Sequence, residues 1–131
     1  MVRRNKRKPP HRKLELQTSP ELYLNRELSM LAFNERVLAM ATRAAVPLAE
    51  RLRYVCIVSS NLDEFYQKRV GGLKRQIAAG VMAQSPDGLG PREQLVAMRQ
   101  RIEEMLRIQA DCFANVIKPA LAQQGVFLLD W

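Results

Sequence analysis

From residue 14 to its end this chain contains no histidine; the single one, His11, sits in a short basic stretch near the start. A zinc site built from histidine and cysteine is therefore not expected. Neither is a Ser-His-Asp or Cys-His arrangement, since each needs an imidazole in the folded part. Glycine is scarce, with six in 131 residues. Neither GxxxxGK[ST] nor GxGxxG occurs, which removes the common glycine-rich phosphate cradles. Cysteine is limited to Cys56 and Cys112, both inside apolar helical patterns, and such a pair reads as core thiols rather than a bridge. No apolar run approaches the roughly 20 residues of a membrane span. No apolar segment follows the basic start, so a secretory signal is not expected either. A cytoplasmic location follows by default.

The charge that is present is unevenly placed. Of the formal net charge of +8, Arg3, Arg4, Lys6, Arg7, Lys8, Arg12 and Lys13 supply +7, with no acid among them. The remainder of the chain is close to neutral. With Pro9-Pro10 and few apolar residues, residues 1–18 are expected to form a disordered basic tail. A solvated extension is preferred over a nucleic-acid or polyphosphate arm, because no aromatic residue is interleaved for base stacking. Nucleic acid is accordingly not an expected partner.

Apolar residues make up 47% of the chain and charged residues 26%, which suits about one soluble domain. Ser19-Pro20-Glu21 places a cap-type residue before a proline at a helix start. Leu28, Leu31, Leu38, Ala41 and Ala45 then lie on one helical face. Val46-Pro47 should end that helix. A second helix carries Leu48, Leu52, Val55 and Cys56. Ser59-Ser60-Asn61 should interrupt it, and a third should run from Leu62 through Phe65, Val70, Leu73 and Ile77 to a stop at Gly80. Gly71-Gly72 suggests close helix packing. Residues 83–91 read as a loop. From Pro91 the longest helix carries Leu95, Met98, Ile102, Met105, Gln109, Cys112, Val116 and Ala120 at close to a 3.5 repeat. Pro119 should kink it or end its regular part.

The expected fold is all-α: an antiparallel bundle of about four helices over residues 19–125, the last one long. Its core should include Leu31, Leu38, Leu52, Val55, Phe65, Leu73, Ile102, Met105 and Val116. Residues 126–131, apolar and ending in Trp131, are expected to begin a link or strand into a further domain of a longer chain.

Candidate chemistry is sparse. Asp63-Glu64 and Glu103-Glu104 are adjacent pairs whose side chains point about 100° apart on a helix, so neither makes a natural catalytic dyad. Asn61 has two candidate roles. It can cap the third helix, with Glu64 three residues on completing a capping-box pattern. Its carboxamide, with donor and acceptor side by side, can also read the edge of adenine. Lys68, Arg69, Lys74 and Arg75 follow it and could meet phosphates or form a wet face.

Residues 23–38, Tyr-Leu-Asn-Arg-Glu-Leu-Ser-Met-Leu-Ala-Phe-Asn-Glu-Arg-Val-Leu, resemble the opening signature of polyphosphate kinases. Residues 47–54 resemble the next segment. Ser59-Ser60-Asn61-Leu62-Asp63-Glu64-Phe65, followed by residues 69–76, resembles the third. Met30 stands where the family usually has Trp, and Gln67-Lys68 replaces a more apolar pair. The resemblance covers roughly residues 20–131. It implies the amino-terminal helical domain of an enzyme that transfers the terminal phosphate of ATP reversibly to polyphosphate, with magnesium and a phosphohistidine intermediate. It also implies a homo-oligomeric parent. Asn61 matches the family's nucleotide-binding position. The phosphate-accepting histidine, the metal ligands and most phosphate-gripping residues belong to later domains of the family. The resemblance therefore implies that this chain alone carries no catalytic residue. A stand-alone, non-catalytic helical interaction module is the alternative.

Overall fold

A computed structural model describes residues 19–129. The expected disordered tail, His11 and Asp130-Trp131 lie outside the described residues. A 3₁₀ turn at Pro20–Leu22 leads to α1 (Arg26–Thr42) and then α2 (Leu48–Phe65). A π turn at Tyr66–Val70 carries α2 directly into α3 (Gly71–Ala78). After a loop come α4 (Pro91–Cys112), a second π turn (Phe113–Ile117) and α5 (Lys118–Gln123). The architecture is all-helical, and no strand occurs among the described residues.

Three rods form in place of the expected four helices. Ser59-Ser60-Asn61 does not break α2, and Asn61 caps nothing. These polar residues find partners sideways instead. Ser59 Oγ accepts from Gln109 Nε2 at 2.7 Å, and Asn61 Nδ2 donates to Asn34 Oδ1. Val58 and Leu62 on either side are buried. Packing and lateral hydrogen bonds thus outweigh the local preference of Ser and Asn for helix ends.

The start of α1 is capped by Asn25, whose Oδ1 accepts from the backbone N–H groups of Glu27 and Leu28, both at 3.0 Å. The helix ends at Thr42, earlier than Val46-Pro47 suggested, and Ala45 is exposed outside it. Arg51 Nε donates to the Ala41 carbonyl at 2.6 Å. It thereby satisfies one of the carbonyls that every helix end leaves open. At the far end of the second rod Gly80 adopts φ 71°. Gly80 N–H bonds Ile77 O, and Val81 N–H bonds Gln76 O. This Schellman closure needs a left-handed residue, which glycine supplies without a Cβ clash.

Contacts along the rods give their directions. Arg101 donates to Leu28 O and Cys112 Sγ to Ala41 O, so α1 and α4 run parallel. Asn34 meets Asn61 while Arg51 meets Ala41, so α2 runs against α1. The result is an up-down-up bundle. Its core is formed by Leu31, Leu38 and Ala41 of the first rod, Val55, Val58, Leu62, Phe65, Val70 and Leu73 of the second, and Met98, Ile102, Met105, Cys112, Ile117 and Leu121 of the third. No helix among the described residues is long and apolar enough to cross a membrane.

Two expected core positions shift. Leu52 is only partly buried against the cluster. Val116 is 43% exposed, whereas Ile117 is fully buried. The π turn is the cause: Lys118 N–H bonds Phe113 O, five residues back, so the apolar face reappears one residue late. The same turn lies just before Pro119, so the ladder changes pitch there without ending the rod. Gly71 and Gly72 do not mark close packing, since a Cβ on Gly72 would meet nothing within 4 Å. Of the two cysteines, Cys112 is buried but Cys56 is exposed, and neither is bridged.

The shifted register is measurable. Ile117→Ala is expected to cost about 2–5 kcal/mol in urea unfolding, as a large-to-small change in a core does. Val116→Ala should stay within about 0.5 kcal/mol, as surface changes usually do. The opposite ranking would mean a regular α-helix through this stretch.

Candidate functional site

The cleft between the first two rods holds about 510 Å³, within the range of small-ligand pockets. Ser29, Met30, Phe33, Asn34 and Arg36 of α1 form one wall. Asn61, Glu64 and Phe65 of α2 form the other, with Lys68 and Arg69 of the π turn at its end. The extra residue of that turn brings Val70 into the core and leaves Lys68 and Arg69 beside the cleft.

Asn61 lies on the cleft wall as a residue of the helix interior. Its Nδ2 donates to Asn34 Oδ1 at 2.7 Å, and Asn34 Nδ2 donates to Met30 O at 3.1 Å. Asn34 is only 3% exposed. Asn61 Oδ1 accepts no bond from the described residues. The one buried side-chain oxygen or nitrogen left without a hydrogen bond among them is Glu27 Oε2, so Asn61 Oδ1 is reachable from solvent.

The charged residues around the cleft are mostly paired. Lys68 Nζ donates to Glu64 Oε1, and this hydrogen bond holds the Glu64 carboxyl below its ordinary range. Glu64 therefore does not complete a capping box. Arg69 Nε lies 3.6 Å from Glu27 Oε2. Arg36 sits over the Phe33 ring at 5.8 Å, which joins an exposed aromatic plane to a guanidinium at the rim. Lys74 and Arg75 are exposed and do not line this cleft. Glu103 pairs with Arg99, and Glu104 with Arg107. No group of three or more His, Cys, Asp or Glu among the described residues could hold a metal ion.

Asn34, Phe33 and Arg36 join the cleft although the sequence did not single them out for it. Asn34 did leave a signal. It falls three residues after Leu31 and four before Leu38, so it is a carboxamide on the apolar face of α1.

The chain has relatives among known proteins. The model of the polyphosphate kinase N-terminal domain matches residues 23–129, so the chain belongs to that family. It is 48% identical over 109 residues to a polyphosphate kinase of Mycolicibacterium gilvum (strain PYR-GCK), covering 83% of this chain and 15% of that protein. It is 49% identical over 109 residues to a polyphosphate kinase of Streptomyces coelicolor, with coverage of 83% and 15%. A polyphosphate kinase of Mycobacterium tuberculosis (strain H37Rv) is 44% identical over 115 residues, or 88% of this chain and 16% of that protein. The chain thus spans about 15–16% of the length of these curated relatives. No solved structure matches it.

The Asn61–Asn34 pair can be separated from a cap by one substitution. Asp caps helices about as well as Asn. Facing Asn34 Oδ1, however, a carboxylate sets oxygen against oxygen. Asn61→Asp should therefore lower stability by about 1–3 kcal/mol, the usual cost of an unpaired buried polar group. An unchanged melting temperature of this chain would count against the pair.

Proposed function

We propose that this chain is the amino-terminal part of a polyphosphate kinase that moves the terminal phosphate of ATP to and from polyphosphate, and that its cleft receives the adenine end of ATP. The observation that carries this proposal is Asn61, whose Oδ1 is open to solvent on the cleft wall while its Nδ2 is anchored inward. An exocyclic amine such as that of adenine donates to such an acceptor. The Phe33 ring and Arg36 guanidinium offer planes on which a base can stack. Lys68 and Arg69 lie at the end of the cleft nearest the π turn, paired with Glu64 and Glu27.

The chemistry itself belongs to other parts of the polypeptide. Phosphoryl transfer through a phosphoenzyme needs an activated nucleophilic side chain, and residues 14–131 hold no histidine. Magnesium offsets phosphate charge when bound, but the described residues offer no cluster that fits it. Their role is to bind and orient the base. The unbridged cysteines suit a reducing, cytoplasmic setting.

The full-length polypeptide carrying Asn61→Ala provides the test, with ATP affinity and melting temperature measured together. ATP affinity is expected to fall about tenfold, as for one lost polar contact, in a protein that still folds. Unchanged ATP affinity in a folded variant would remove the nucleotide role. This 131-residue chain alone, incubated with labelled ATP, should acquire no acid-labile phosphate. Labelling that persists after removal of residues 1–13 would contradict that expectation.

A further inference from the structure

The two carboxamides at the cleft are connected in series, and the series starts at an atom that cannot be reversed. Met30 O is a backbone carbonyl and only accepts. The side chain of Asn34 must therefore turn its NH₂ toward Met30, which it does at 3.1 Å. That choice turns Asn34 Oδ1 toward Asn61, which must present its own NH₂, and does so at 2.7 Å. Oδ1 of Asn61 is then the atom left open to the cleft. With Asn34 buried, rotating either amide would set two acceptors face to face in a poorly solvated place, at the cost of an unmade hydrogen bond.

We propose that Asn34 is a positioning residue that selects the purine by fixing the polarity of Asn61: its buried carboxamide relays the direction of the Met30 carbonyl, so that the cleft presents an acceptor and favours a 6-amino over a 6-oxo base. This rests on the cleft being the adenine site. Asn34 is 3% exposed and both of its amide atoms are engaged, so it acts through Asn61. A 6-oxo purine carries an acceptor where adenine carries a donor, and against Asn61 Oδ1 the two oxygens repel. A site built to pair one polar group rejects the analogue that cannot complete the pair. If Asn34 ceases to accept, Asn61 is free to turn either its oxygen or its NH₂ outward, and both base types can then be paired.

The test compares ATP with inosine triphosphate, which differs at the 6 position, in the full-length polypeptide. Affinities are measured for the native protein, Asn34→Leu and Asn61→Ala. Asn34→Leu is expected to reduce the preference for ATP over inosine triphosphate about tenfold, mainly by improving the affinity for inosine triphosphate. A merely structural role for Asn34 would weaken both nucleotides alike and leave the ratio unchanged, which overturns the relay. Should Asn34→Leu fail to fold, Asn34→Ser gives the same comparison. Its hydroxyl bonds back to the preceding helical turn but is too short to hold Asn61. An unchanged ratio in Asn34→Ser likewise overturns the proposal. If Asn61→Ala leaves ATP affinity untouched, the adenine site lies elsewhere and the relay falls with it. If Asn61→Ala weakens ATP while the Asn34 variants keep the ratio, the adenine site stands and the relay alone fails.

Discussion

The bundle depends on one extra residue in each of its two longer rods. The third rod buries Pro91, Gln94, Met98, Ile102, Met105, Gln109 and Cys112, a stripe with a 3.5-residue repeat. Such a stripe drifts around a straight helix by about 20° per heptad, hence about 60° over this length. A coiled coil removes the drift by winding the helices around each other. This rod instead inserts a π turn at Phe113–Ile117, after which Ile117 and Leu121 again face the core. The second rod does the same between Phe65 and Val70. Each insertion turns the buried face of a rod of about 30 residues back toward the core.

The insertions leave register to be fixed by polar groups, because an apolar stripe alone tolerates sliding. Gln109, 7% exposed, donates to both Val55 O and Ser59 Oγ and so ties the third rod to the second. Asn34 ties the first to the second at Asn61. A third cluster holds the loop before α4: Asn25 donates to Asp87 Oδ2, Ser85 donates to Asp87 Oδ1, and Gln94 donates to Ser85 Oγ and Leu89 O. Each would cost stability if left unpaired, so a shift along any seam is penalised. The cap of α1 and the entry to α4 are thereby one connected structure.

The all-helical class, the glycine stop after α3 and most of the core were legible in the sequence because they are local or periodic; the first cap was not, since Ser19 was expected to supply it and precedes only a 3₁₀ turn, while Asn25 caps α1. Leu31, Leu38, Phe65, Ile102 and Met105 follow from spacing alone. What was not legible was non-local. Ser59-Ser60-Asn61 has the composition of a helix break, and only the facing Gln109 and Asn34 explain why it is none. Val116 was placed in the core on a repeat close to 3.5 residues that the π turn breaks, and nothing in Phe113–Ile117 announces the change except Pro119 just beyond it. Asn61 stood out as a carboxamide with two candidate roles, and the family resemblance favoured the nucleotide one. Asn34 had to be seen in three dimensions, because a carboxamide on an apolar face does not name its partner.

Charge pairing decides what kind of ligand group this cleft suits. Lys68 is engaged by Glu64 and Arg69 by Glu27, so neither is a bare cation waiting for a phosphate, and binding one would mean releasing or sharing a carboxylate. The described helices place no N-terminus among the residues that line the cleft, so the backbone amides that commonly hold phosphates are missing from it. What the cleft does offer, an anchored amide with an open oxygen beside an aromatic plane, suits an uncharged heterocycle. Under the proposed function, a domain so equipped would add selectivity for the base and leave the phosphates to other parts of the polypeptide.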